Sequence, residues 1–204
     1  MSVGEFTVYD LLERNAQLYA QRPAVVFEGR RQTYAALKQR VDALAAGLAA
    51  RGLKAGDRLC ILAQNDPAYL ELYGACARQG ILAYPINWRL SGEEVGRVLE
   101  RAQPALMVVD TPGLELIGDW PTTRKDVRHW YQFGAKPARG LKSFDALYLK
   151  VAPPERPAVA ADDTFFVIST AAVDVIPRGA ALTHGNVLAA NLQAMARMGV
   201  GEGD

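Results

Sequence analysis

Between Arg58 and Asp110 the sequence switches repeatedly between two kinds of periodicity. Arg58-Leu59-Cys60-Ile61-Leu62-Ala63 is almost continuously apolar, as expected of a strand covered on both faces. Asn65-Asp66-Pro67 then starts a helix to Gln79, with Asp66 as cap and Pro67 in the first helical position. Gly80 to Pro85 is a second buried strand, Ser91-Gly92-Glu93-Glu94 a capping box opening a helix to Ala102, and Ala105 to Asp110 a third strand. A helix-length crossover returns each strand in the direction of the one before, so the pairing should be parallel. The expected class is α/β: a layered, mostly parallel sheet flanked by helices.

The flanking segments fit this frame. Thr7-Val8-Tyr9-Asp10 opens a helix with Leu11, Leu12 and Tyr19 on its apolar side, and Arg22-Pro23 ends it. Ala24 to Phe27 and the residues after Gly29 form a hairpin about Glu28-Gly29-Arg30. Thr33 caps a helix whose Tyr34, Leu37, Val41, Leu44 and Leu48 recur at steps of three and four, one buried stripe, and Gly52 closes it. From Thr111 to Ala161 the pattern weakens. Val127 to Phe133 alternates like a half-exposed strand, and Ser143 to Leu149 suggests a short helix. Residues 1–151 are therefore expected to be an N-terminal α/β subdomain, and 152–161, with Pro153, Pro154 and Pro157, a linker. Residues 162–204 start a second α/β unit: strand Thr164 to Ser169, loop Thr170 to Gly179, short strand Ala180 to Leu182, helix Thr183 to Met198.

Composition narrows function only by exclusion. The chain has 204 residues, 23 basic and 22 acidic, for a formal charge of +1. That balance argues against a nucleic-acid binder relying on phosphate neutralisation. No apolar run reaches the roughly 20 residues that span a bilayer, and Met1 to Glu5 has no secretory pattern. Cys60 and Cys76 sit in apolar contexts and suggest neither a disulfide framework nor a zinc site. A reducing cytoplasm is the expected setting, and no metal-ligand cluster is read.

One segment asks for a chemical explanation. Residues 170–179, Thr-Ala-Ala-Val-Asp-Val-Ile-Pro-Arg-Gly, join a strand of Phe165, Phe166, Val167 and Ile168 to the final strand and helix. Phosphate-cradling loops expose backbone N–H groups, add hydroxyls and place a cation nearby, roles open to Thr170 and Arg178. The segment is not a Walker A loop, and Gly199, Gly201 and Gly203 follow a helix, so they are no dinucleotide fingerprint. A plain connecting loop with a surface arginine is the competing reading.

Thr164 to Val187 resembles the phosphate-loop motif of the adenylate-forming superfamily, which includes acyl-CoA synthetases, peptide-synthetase adenylation domains and luciferases. Against T-S-G-T-T-G-x-P-K-G-V-x-L-[ST]-H-x-N-[LV], Thr170 takes the first position and Pro177, Arg178 and Gly179 stand at P-K-G. Leu182, Thr183, His184, Asn186 and Val187 match the tail. Thr33-Tyr34-Ala35-Ala36-Leu37 resembles T-Y-x-E-L, Gly56-Asp57-Arg58 the G-D start of a core strand, and Pro85-Ile86-Asn87-Trp88-Arg89-Leu90 P-[LI]-N-x-R-L. The resemblance implies the N-terminal lobe of an acyl-CoA synthetase, which activates a small-molecule carboxylate with ATP and Mg²⁺ as acyl-adenylate and passes it to CoA. It implies ATP-phosphate contacts from Thr170, Ala171, Ala172, Val173, Asp174, Val175, Arg178 and Gly179, with no catalytic residue within this chain.

The segment also departs from the family. Three hydroxyls and two glycines are replaced, and Asp174 brings an anion towards the expected phosphates. At 4 Å and an effective dielectric near 20, such a like-charge pair costs about 4 kcal/mol, more than several neutral hydrogen bonds at about 1 kcal/mol each return. Asp174 must point away, cap a turn or contact Mg²⁺ for the loop to hold a nucleotide. Arg178 keeps the charge of the usual lysine and adds a bidentate fork. The alternative is a non-catalytic homologue with a degenerate loop, acting as a binding or scaffold module.

Gly52-Leu53-Lys54-Ala55-Gly56-Asp57 launches a core strand, and the same G-[LV]-x-x-G-D pattern recurs at Gly199 to Asp204. A cut inside a larger enzyme is expected, the missing C-terminal part carrying the ribose, Mg²⁺ and lysine contacts that the family implies. Residues 1–204 alone are then expected to be inactive, and the oligomeric state is not read. Other residues have bland readings: His184 as a neutral ring at a helix start, His129 on a strand surface, Trp88 and Arg89 in packing. The Arg124, Lys125 and Arg128 cluster reads as a solvated face.

Overall fold

The computed structural model describes residues 5–134, 136–169 and 179–201. The chain begins with helix α1 (Val8–Leu18), hairpin strands β1 (Pro23–Phe27) and β2 (Arg30–Thr33), and α2 (Tyr34–Ala50). Next come β3 (Arg58–Leu62), α3 (Ala68–Gln79), β4 (Leu82–Pro85), α4 (Gly92–Ala102) and β5 (Leu106–Val109). Beyond them lie α5 (Thr111–Ile117), α6 (Trp120–Thr123), β6 (His129–Gln132), β7 (Lys142–Ser143) and a 3-10 turn (Phe144–Leu147). The last elements are β8 (Thr164–Ser169), β9 (Gly179–Thr183) and α7 (His184–Met198). One seven-stranded sheet holds most strands in the order β7-β6-β5-β3-β4-β8-β9. Its pairs are parallel except β8 with β9, the antiparallel edge. The expected α/β sheet, mostly parallel and flanked by helices, is the fold observed.

Strand pleating explains why the central runs are apolar throughout. On β3, Leu59 and Ile61 face one way with Leu106 and Val108 of β5, into a core closed by α1, α2 and α3. Cys60 and Leu62 face the other way with Met107 and Val109, under Val95, Val98 and Leu99 of α4. Each fully buried aliphatic side chain contributes roughly 1.5–3 kcal/mol, so the two layers reinforce one strand order. Thr33 caps α2 by accepting the Ala36 amide at 3.2 Å. The α2 stripe is buried at Leu37, Val41, Leu44 and Leu48, with Tyr34 half-buried. α3 can lie close against it because Gly74 has no side chain: a Cβ there would stand 2.6 Å from Val41 Cγ2.

β6 and α5 differ from expectation, and the short α6 and β7 are additional to it. β6 is not half-exposed; it lies between β5 and β7, with Trp130, Tyr131 and Gln132 buried. Its polar member is tolerated because Gln132 Oε1 accepts the Ala138 amide at 2.8 Å and Nε2 donates to Thr111 Oγ1 at 3.4 Å. α5 was not expected: Asp110 caps it by accepting the Gly113 amide at 2.7 Å, and Pro112 occupies the first turn. Cys60 and Cys76 are buried free thiols, and burial pushes both upward in pKa.

Candidate functional site

Ligands of open parallel sheets gather where strands end and successive crossovers leave towards opposite faces. Here β3 runs to α3 on one face, and β4 and β5 run to α4 and α5 on the other. The gap between the ends of β3 and β5 is closed by Asp110, whose Oδ2 accepts the Gln64 amide at 2.8 Å while Oδ1 caps α5. The opening lies one strand over, at the ends of β3, β4 and β8, where a cavity of about 460 Å³ reaches the surface.

Three walls define it. The first is the start of α3: Asp66 Oδ1 accepts the Ala68 amide at 2.8 Å, while Pro67 already has helical dihedrals. That geometry sets Tyr69 and Tyr73 one turn apart on the cavity side. Tyr69 Oη donates to Ala63 O at 2.8 Å, and Tyr73 packs edge-on against Phe166 of β8 at 4.5 Å. Burial drives both phenols upward, so they stay neutral and offer ring faces and O–H groups, not acid–base chemistry. The second wall follows β4. Ile86 N–H donates to Ile61 O at 2.8 Å, and Asn87 Oδ1 accepts the Arg89 amide at 3.0 Å, turning the chain outwards. Trp88 is 41% exposed there, with the Arg89 guanidinium 4.1 Å from its ring. The third wall is Ile168 and Ser169 at the end of β8. Ser169 Oγ is buried with no hydrogen-bond partner among the described residues.

Of the residues the sequence assigns to ATP phosphates, Gly179 is described, and Thr170, Ala171, Ala172, Val173, Asp174, Val175 and Arg178 lie outside the described residues. Gly179 opens β9 in register with Ser169. A Cβ at Gly179 would stand 2.7 Å from Val167 Cγ1 and 3.3 Å from Tyr84 Oη, so a bare backbone lets β9 close on β8 and β4. The segment 170–178 therefore joins two strand ends, one of which borders the cavity. Asn65, Tyr69 and Tyr73 were not singled out in sequence; an aromatic pair four residues apart on a helix that follows a strand end was the available signal. Among the described residues no group of three or more His, Cys, Asp or Glu side chains could hold a metal ion. No described helix is long and apolar enough to cross a membrane.

The basic cluster is satisfied locally. Arg124 pairs with Asp126 at 2.9 Å, Lys125 donates to Thr122 O at 2.5 Å, and Arg128 pairs with Asp57 at 2.8 Å. His129 is half-buried, its Nε2 2.9 Å from Arg51 O. His184 is buried, and its ring stacks on Phe165.

A family model described as AMP-binding enzyme matches residues 12–204. The chain belongs to the AMP-binding enzyme family. It is 34% identical over 177 residues to a feruloyl-CoA synthase of an Amycolatopsis species, covering 85% of this chain and 33% of that one. It is 29% identical over 195 residues to a long-chain-fatty-acid–CoA ligase of Thermus thermophilus, covering 93% and 36%. A solved structure assigned as a long-chain-fatty-acid CoA ligase of Rhodopseudomonas palustris superposes with a TM-score of 0.91 at 32% identity, covering 100% of this chain and 51% of that one. The chain thus spans about a third of the length of the curated relatives it matches. Relatives of this AMP-binding chain include several CoA ligases for different acids.

Proposed function

We propose that this chain is the N-terminal part of an AMP-forming acyl-CoA ligase. In that reaction a carboxylate oxygen attacks the α-phosphorus of ATP, the bond to pyrophosphate breaks, and CoA thiolate later displaces AMP from the acyl carbon. The observation that carries the reading is the coincidence of two things: a family match from residue 12 to 204, and a strand-end cavity bordered by the strand that leads into residues 170–178. Thr170 and Arg178 supply a hydroxyl and a cation to the polyphosphate, and the backbone from Ala171 to Val175 with Gly179 supplies amides. Positioning and charge stabilisation carry such a step, so these groups act by holding the triphosphate still. The buried Ser169 hydroxyl, with no partner among the described residues, is a further donor at the edge of the same segment. Mg²⁺, when bound, would neutralise charge on the triphosphate.

In this reading residues 1–151 are a first α/β subdomain, 152–161 a linker and 162–204 the start of a second unit. Residues 152–161 carry no helix or strand, which supports the division, although β8 extends the same sheet through β4. α7 supports a larger whole, because its Leu192 and Met198 are 67% and 75% exposed and await cover by the remainder of the enzyme. The working compartment is the cytoplasm, where ATP and CoA are found.

The altered loop, with Asp174 where phosphates are expected, specifically favours one other reading, a homologue that has lost nucleotide binding. Titrating the family-length protein with ATP, with and without Mg²⁺, decides between them. Saturable binding supports the ligase, and no binding in either condition supports the scaffold.

A further inference from the structure

Both strands that flank residues 170–178 trace back to one buried junction. Phe165 lies near the start of β8, and His184 opens α7 directly after β9. The two rings stack with centroids 4.8 Å apart and planes 17° from parallel. His184 Nδ1 accepts the Val8 amide of α1 at 3.3 Å, across 176 residues of sequence. The acceptor role requires the neutral ring with its proton on Nε2. The start of α7 is pinned again through its backbone: His184 N–H donates to Asp163 O at 3.2 Å and Gly185 N–H to Ala161 O at 2.7 Å.

The other side of Val8 is equally constrained. Thr7 and Asp10 form the α1 capping box, both buried. Arg156 reaches it from the segment before β8, with Nη1 on Asp10 Oδ1 at 2.5 Å and Nη2 on Thr7 Oγ1 at 2.7 Å. Burial works against the Asp10 charge, but Arg156 and Thr7 more than offset it and hold the carboxyl below its usual range. A buried charge pair is weak evidence for stability, since apolar packing can do as well. Its geometric content is larger: directional bonds fix the rotation and height of α1, of residues 156–163 and of α7 together.

We propose that His184, seated on the Val8 amide and backed by Arg156, Asp10 and Thr7, is a positioning residue. It holds the base of the paired β8–β9 hairpin, which meets β4 at Ala83–Phe166, against α1, and thereby fixes how the Ser169 end of the hairpin meets the cavity, for polyphosphate binding by the residues that follow. The proposal rests on the phosphate-loop reading of residues 170–178.

The test uses His184→Phe, which keeps a stacking ring and removes the acceptor, His184→Asn, which restores an acceptor near Nδ1, and Arg156→Gln. Amide hydrogen exchange on the 204-residue chain should rise about tenfold at Val8 and across 179–186 in His184→Phe, with β3 and β5 within about twofold of wild type. His184→Asn should recover most of that protection, and Arg156→Gln should loosen the first turn of α1. In the family-length enzyme, His184→Phe should raise KM for ATP about fivefold and leave KM for the carboxylate unchanged, with recovery in His184→Asn. A uniform rise in exchange over the whole sheet, no rise at all, or local loosening with an unchanged KM for ATP overturns the proposal. Should His184→Phe fail to fold, the same contrast between local and uniform loosening is read from Arg156→Gln and His184→Asn. A wild-type enzyme without ATP-dependent activity would overturn the phosphate-loop reading and the nucleotide half of the proposal. The exchange pattern would still decide the latch.

Discussion

His184 shows how one side chain can be visible in sequence while its environment is not. Its place after the Thr183 cap was legible, because a capping box with Asn186 follows the same rules as elsewhere. Its burial, its stack on Phe165 and its bond to Val8 come from parts of the chain 19 and 176 residues away. Burial, with Arg156 adding to it and Asp163 and Asp10 opposing, pushes the imidazole down to about 4 from 6.5. The folded ring therefore binds fewer protons than the unfolded one between these values. Stability from this residue is complete above about pH 6.5 and is lost as pH falls towards 4, a contribution of roughly 3 kcal/mol. Denaturant titrations at pH 7 and 4.5 should show the loss in wild type and a much smaller one in His184→Asn; equal losses would contradict the assignment. At Gly179 the steric account is simpler. Gly179→Ala should lower stability by about 1 kcal/mol, read as a lower urea midpoint, because Val167 or β9 must shift to admit the methyl group.

Elements were legible where two independent signals agreed. α2 carried a cap and an apolar stripe, α4 a capping box between two apolar runs, and β3 and β5 were apolar runs of strand length, so all four appear where expected. β6 was misjudged because Trp130 and Gln132 alternate with Tyr131 like a surface strand. The sequence does not reveal that Gln132 is satisfied from Ala138 and Thr111 and can therefore be buried. α5 was hidden because Thr111-Pro112-Gly113 reads equally well as a turn; the Asp110 cap and the proline in the first turn mark a helix only once the chain beyond them packs. Asp110 joins two elements, since one carboxylate caps α5 and accepts the amide after β3. Asp110→Ala should cost about 1–2 kcal/mol and raise exchange at the Gln64 and Gly113 amides above that of the β5 core. If both amides keep wild-type protection, the carboxylate is not what closes the gap between β3 and β5.

At the scale of the whole molecule, the central strands lie in an order that places one open cavity at the ends of β3, β4 and β8. Of the candidate site, the motif over residues 164–187 was legible as a strand, a connecting segment and a helix, and β8 borders the cavity, while the aromatic walls from α3 did not stand out in one dimension. The arginine clamp between residue 156 and α1 left no sequence signal, since a salt bridge across 146 residues has no periodicity. The exposed apolar face of α7 and the family match are both consistent with the proposed larger ligase. In that proposed ligase residues 170–179 hold ATP phosphates, and ATP–pyrophosphate exchange by the family-length protein tests this most directly. Arg178→Ala should lower exchange about a hundredfold, the scale of losing one charge-stabilising contact in a phosphoryl-type transition state, with the 204-residue chain alone giving no signal. Exchange left unchanged by Arg178→Ala would contradict the claim.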